Sequence, residues 1–195
     1  MELKIITIKE YLELDFEKQS EYNFFMKYSI VLNTPVDHFQ LKDMSEKQTF
    51  GMIKDLQQDM SIGMNFYQVI EYLEKLTGKK LLLEKLDKIC QQWKYVISEI
   101  DRIIEIENIA LAHKATYEEK KAGIDRLSKL GVYLQFRNIA QSINLTINEV
   151  KNMPYLEAFT ELVTQKRLND YEIELTKINQ EKNNFYIFDK KLING

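Results

Sequence analysis

The chain has 195 residues, 45% of them hydrophobic and 29% charged, the balance of a folded protein and not of a disordered tail. Its 27 basic and 30 acidic side chains and a pI near 5.6 exclude a global field that would draw nucleic acid or an anionic membrane. A single cysteine, Cys90, excludes an internal disulfide, and no apolar run approaches the roughly 20 residues that span a bilayer.

Six glycines and two prolines encode few sharp turns, so helices with short connections are expected. Leu3, Ile5, Ile6 and Ile8 form a β-branched opening that reads as a short extended arm, with Thr7 or a neighbour capping a helix from about Lys9. Tyr22 to Leu32, with Phe24, Phe25, Tyr28, Ile30 and Val31, is dense enough for a buried helix, and Asn33-Thr34-Pro35 stops it. Ser45 with Gln48 three residues on has the form of a capping box for the next helix, which carries Phe50, Ile53 and Leu56 and breaks at Ser61-Ile62-Gly63. Asn65 to Leu76 repeats the pattern, and Thr77-Gly78 supplies a left-handed glycine stop.

Leu82, Leu86, Ile89, Trp93, Val96, Ile100 and Ile103 recur at alternating steps of four and three with no Gly or Pro between them. That seam predicts one long helix over 81–113, a rod of roughly 50 Å. Ile104, Ile106, Ile109 and Leu111 widen its apolar surface, whereas Glu84, Lys85, Asp87, Lys88, Lys94, Glu99, Asp101 and Arg102 alternate in sign as a solvated face does. Thr116 with Glu119 then opens a helix expected to run past a weak spot at Gly131 to Ile143. Asn144 and Leu145 turn the chain, Thr146 to Asn152 gives one or two helical turns, and Pro154 begins a last helix ending at Lys182-Asn183-Asn184. Phe185-Tyr186-Ile187-Phe188 is too apolar to float and is expected to dock on the body or on a neighbour.

Residues 32–39 and 143–150 keep their apolar positions in step, and a two-residue offset then aligns Met44 with Met153 and Phe50 with Phe159. Internal duplication and the pattern common to helical hairpins both account for this correspondence.

Little in the chain has the form of a catalytic or ligand site. The two histidines, His38 and His113, lack Cys or acidic partners at metal-ligand spacing, and His113 suits a helix C-terminus through the helix dipole. Thr77-Gly78-Lys79-Lys80 lacks the upstream glycine and following hydroxyl of a phosphate loop. No cofactor or metal is expected, and Cys90 reads as core packing. Residues 138–152 follow a helix-turn-helix pattern, with Ile139 and Ala140 at packing positions, Asn144 where a turn glycine is usual, and Val150 facing the core. DNA contacts would then fall to Asn148 and Lys151, but Lys151 is the one basic residue there and Pro154 cuts the segment short.

The run from Leu145 to Phe159, a turn followed by Glu149-Val150, Met153-Pro154 and an apolar helix, resembles small helical proteins of tailed bacteriophages, tail-assembly chaperones above all. Ile8-Lys9-Glu10-Tyr11-Leu12 and the apolar helix ending at Leu32 are similar in kind, so the resemblance covers about a third of the chain. The long rod departs from compact chaperones and points equally to a ring or connector subunit. What the resemblance implies is work through surfaces, in the host cytoplasm during assembly and in the virion, with no site residue to carry over.

The expected protein is therefore all-α and elongated, with an N-terminal helical lobe at 1–78, a central helix at 79–114 and a C-terminal hairpin with an apolar tail at 115–195. The expected function is a non-catalytic interaction subunit, a homo-oligomer or a partner of phage portal or tail proteins. Its candidate interface is Ile103, Ile106, Ile109 and Leu111 with Phe185, Tyr186, Ile187 and Phe188. A helix-turn-helix regulator is the alternative, and neither nucleic acid nor membrane is an expected partner of the first reading.

Overall fold

A computed structural model describes residues 6–20, 22, 44–113, 115–124, 126 and 130–193, with the backbone alone at 118 and 183–193. Leu3 and Ile5 of the expected arm, residues 23–32 of the expected buried helix, the Asn33-Thr34-Pro35 stop, His38, and the first copy of the repeat up to residue 43 lie outside the described residues.

The fold is all-α. The helices are α1 (Ile8–Leu12), α2 (Met44–Lys47), α3 (Phe50–Ile62), α4 (Phe66–Thr77), α5 (Leu86–Ala110), α6 (Tyr117–Ala122), α7 (Gly131–Ser142), α8 (Ile147–Asn152) and α9 (Tyr155–Ile193); residues 16–20 are helical as well. Pairing between extended segments among the described residues is limited to two isolated bridges, Thr7 with Lys85 and Thr49 with Pro154.

Among the described residues, four helix starts carry a reciprocal capping box, in which a side chain accepts the backbone N–H three residues on and is answered by the side chain at that position. They are Thr7 with Glu10, Asn65 with Gln68, Thr116 with Glu119, and Thr146 with Glu149. Each satisfies two donors that an α-helix leaves orphaned at its N-terminus.

The two bridges satisfy further orphans in a way no local pattern announces. Around Thr7 and Lys85, Ile8 N donates to Glu84 O (3.0 Å) and Leu86 N donates to Ile6 O (2.8 Å). Around Thr49 and Pro154, Phe50 N donates to Met153 O (2.8 Å) and Tyr155 N donates to Gln48 O (3.0 Å). Each bridge thus locks two helix starts together by exchanging their first free N–H groups, α1 with α5 and α3 with α9.

These exchanges correct two expected boundaries. The helix expected from 81 starts at Leu86, because residues 82–85 are held as a turn whose Leu82 and Glu84 carbonyls accept from Lys9 and Ile8. The helix expected from Ser45 is two pieces: α2 ends at Lys47, Gln48 lends its carbonyl to Tyr155, and Thr49, not Ser45, caps α3 by accepting from Met52 N. In both places long-range pairing overrides the local signal.

Two further expectations fail for local reasons. The helix opened by Thr116 does not reach Ile143: it stops at Gly123, whose left-handed φ of 86° makes a glycine C-cap. The last helix does not end at Lys182-Asn183-Asn184 but runs to Ile193, because asparagine is only weakly unfavourable in a helix and no Gly or Pro follows Pro154 until Gly195. At 39 residues, about 58 Å, α9 and not α5, at 25, is the longest helix.

One continuous core draws on residues from Ile8 to Leu162, including Phe50, Ile53 and Leu56 of α3, Val69, Tyr72 and Leu73 of α4, Ile89, Val96, Ile100 and Ile103 of α5, and Phe136 and Ile139 of α7. The seam of α5 therefore faces the chain's own interior, apart from Leu82, which sits exposed in the turn before it. A satellite cluster of Ile6, Tyr11 and Leu86 packs with Phe66 and Cys90.

Candidate interaction surface

The polar feature at the centre of the body is built on Glu107 of α5. Its Oε2 accepts from Lys54 Nζ (2.7 Å) and Gln57 Nε2 (3.2 Å) of α3, and its Oε1 accepts from the Tyr155 hydroxyl of α9 (2.7 Å). The side chains of Lys54 and Glu107 are only 3% and 11% exposed. Burial pulls the Lys54 ammonium below its ordinary pKa range against the attraction of Glu107, and burial together with the Glu107 charge pushes the Tyr155 phenol well above its own. This carboxylate ties three helices through three hydrogen bonds made inside the protein, an arrangement that orients helices.

Other titrating groups serve local structure. The Tyr72 hydroxyl donates to Asp59 (2.6 Å) and is raised by burial first and by that carboxylate second. The Cys90 thiol is pushed up to about 11 by burial. His113 lies beyond the end of α5, not in its last turn, and its Nε2 is 3.0 Å from the Glu119 carboxylate of the α6 capping box. That carboxylate is held below its usual range, chiefly by the Thr116 backbone N–H. Among the described residues no group of three or more His, Cys, Asp or Glu is placed to hold a metal ion, and no helix is long and apolar enough to cross a membrane.

The candidate interface on α5 divides. Ile103 is buried in the chain's own core, and Leu111 is half-buried and packs partly against it. Ile106 and Ile109 are exposed, Ile109 by 72%. Phe185, Tyr186, Ile187 and Phe188 fall on the helical backbone of α9, with side chains outside the described residues.

The helix-turn-helix segment has the expected backbone. Asn144 turns the chain with φ 56°, and Leu145 N donates to Ala140 O (2.9 Å), closing α7 as a glycine would. Ile139, Ala140 and Val150 are buried. Asn148 and Lys151 are both exposed, but Lys151 Nζ sits 5.3 Å over the Phe136 ring, and its backbone lies so close to α3 that a Cβ on Gly51 would meet Lys151 O at 2.9 Å. One side of α8 is thereby spent on α3.

The surface that sequence reasoning missed is on α9. Tyr155, Ala158 and Leu162 anchor its first turns in the core, with Phe159 half-buried and stacked on Tyr155. From Arg167 to Lys182 every residue is exposed. Along this stretch Leu168, Tyr171, Leu175 and Ile178, at steps of three, four and three, are 58%, 63%, 43% and 41% exposed. The spacing was legible, but an expected helix end at residue 182 concealed that the rod outlasts the body.

Comparison with protein-family models, curated proteins and solved structures finds no match to this chain. The fold and its surfaces define an all-α protein with a long projecting helix.

Proposed function

We propose that this chain is a non-catalytic protein–protein interaction subunit that presents the exposed stretch of α9 to other proteins. One observation carries the reading: a helix anchored by its first turns leaves Leu168, Tyr171, Leu175 and Ile178 in solvent, and soluble proteins rarely leave such a strip without a partner. The Glu107 node supports it by fixing the direction in which α9 leaves the body, through Tyr155 at its first residue. On the resemblance of residues 145–159, the setting is a tailed-bacteriophage particle or its tail assembly, as a ring, connector or assembly subunit. Purification of the tagged chain from producing cells tests this: portal or tail proteins are expected with the full chain, whereas recovery of the chain without any virion or tail protein would remove the reading.

A second reading, a helix-turn-helix regulator, is favoured by the left-handed Asn144 between α7 and α8 and by exposed Asn148 and Lys151. It requires salt-sensitive DNA binding that falls on Asn148→Ala/Lys151→Ala. An electrophoretic shift assay at low salt with no retarded band disposes of it.

A further inference from the structure

The exposed strip on α9 has the register of a coiled coil, and we infer that it pairs in parallel and in register with the same helix of a second copy of this chain. The inference rests on the interaction-subunit reading and names the partner.

Leu168 and Leu175 fall at a positions and Tyr171 and Ile178 at d positions of one heptad series. The e and g positions between them, Glu172 and Glu174, and those just beyond, Asn179 and Glu181, are all polar. A helix that packs onto a globular body carries a wider stripe, with e or g apolar too; a seam confined to a and d is the mark of a helix facing one other helix. A straight helix would let a strict 3.5-residue seam drift by about 20° per heptad, so the pattern stays on one face only if two helices wind around each other. The backbone continues to Ile193, where the sequence places Phe185 and Leu192 at the next d positions but the charged Lys182 and Asp189 at the next a positions, so Leu168 to Ile178 carry the apolar seam.

Area and charge select a second copy. At their observed exposures the four seam residues remove on the order of 400 Å² per copy when covered, about half of the roughly 800 Å² that each side of a standard interface contributes, a strip narrow enough for one other helix to cover. In a parallel pair each g position meets the e position five residues on in the partner. That sets Arg167 against the second copy's Glu172 twice over, and Glu174 against a neutral Asn179. An antiparallel pair centred between Leu175 and Ile178 sets Glu174 against Glu181 instead, like charge against like. Lys182, at the next a position, lies beside the second copy's Glu181 in the parallel pair. A lysine at a is accommodated where the seam keeps a wet flank, which two strands provide; this offsets the pull of Leu at a with Ile at d towards more strands.

Sedimentation equilibrium of the full chain at about 50 µM tests the pairing, since a Kd of about 10 µM or below leaves most chains paired at that concentration. The expected mass is that of two 23.2 kDa chains. Leu175→Glu/Ile178→Glu is expected to give the monomer with the thermal transition of the body unchanged, while Ile173→Glu, on the outer f position, keeps the dimer. For orientation, Leu168→Cys in a Cys90→Ala background is expected to form an interchain disulfide on mild oxidation, which an antiparallel pair would not allow. A wild-type monomer, a trimer or tetramer, a dimer that survives the double change, or no crosslink at Leu168→Cys overturns the inference. So does a monomer whose transition is lowered by the double change, because the cover is then a segment of the same chain. A monomer that still brings down tail proteins overturns the pairing alone; a dimer that brings down none overturns the phage-subunit reading and leaves the pairing standing.

Discussion

Removing Glu107 is the most informative single change to the body. Glu107→Ala leaves Lys54 with a side chain 3% exposed and no carboxylate partner, and it strips acceptors from Gln57 and the Tyr155 hydroxyl. Breaking one half of a buried pair costs about 3–5 kcal/mol, mostly because a charge is stranded in a poorly solvating site. For a chain of this size that lowers Tm by about 6–20 °C. Lys54→Met costs less, because Glu107 keeps two donors, and Lys54→Met/Glu107→Ala costs less than the sum of the single changes. Urea unfolding of the four proteins gives the coupling directly. Lys54 also sets a pH signature: its folded pKa lies below the unfolded value, so the unfolded chain binds more protons between the two and stability rises with pH there. Without Glu107 that depression deepens, and the deficit of Glu107→Ala is smaller at about pH 9 than at about pH 7. A loss under about 1 kcal/mol, the worth of an exposed pair, or strict additivity in the cycle would refute the account.

Three more outcomes follow from the geometry. Gly51→Ala lowers stability by about 1–3 kcal/mol in urea melts although alanine is the better helix former, because its Cβ would meet the Lys151 backbone at 2.9 Å and force α8 off α3. Asn65→Ala removes the side chain that accepts from Gln68 N at the start of α4 and costs about 1 kcal/mol, read as a Tm lower by about 2–4 °C. Tyr72 and Tyr155 have folded pKa values above their unfolded ones, so their stabilisation is complete below the ordinary phenol value of about 10 and is lost as pH rises past it. The tyrosine contribution therefore falls from about pH 10 upward, read as a smaller loss of stability on raising the pH in Tyr72→Phe than in the unchanged chain.

What could be read from the sequence was what neighbouring residues decide among themselves. Thr7, Thr116 with Glu119, and Thr77-Gly78 each act within one turn of helix, and each is found doing so. The seam of α5 was legible for the same reason, since burial of one face imposes its spacing on the chain. The starts of α3 and α5 were not, because Phe50 and Leu86 are fixed by carbonyls at Met153 and Ile6, far away in sequence. Glu107 was invisible for a related reason: on a helix of alternating charges nothing marks the one carboxylate that Lys54 and Tyr155 converge on. The exposed strip of α9 was half legible. Its heptad spacing is in the sequence, but that the body ends near Lys166 while the helix continues is a property of the packed structure.

The exposed length of α9 gives the molecule two separate scales of protection. Amides near Ala158 and Leu162 open only when the core does and exchange at the rate of global unfolding. Those from Arg167 to Lys182 lie outside the packed core, and a helical stretch of that size without a partner is marginal in water, so in the unpaired chain they exchange through fraying, with no dependence on the core. Denaturant melts of the body then report a smaller m-value than the full chain length implies, since the projecting stretch has little surface left to expose. The cooperative folding unit is shorter than the polypeptide.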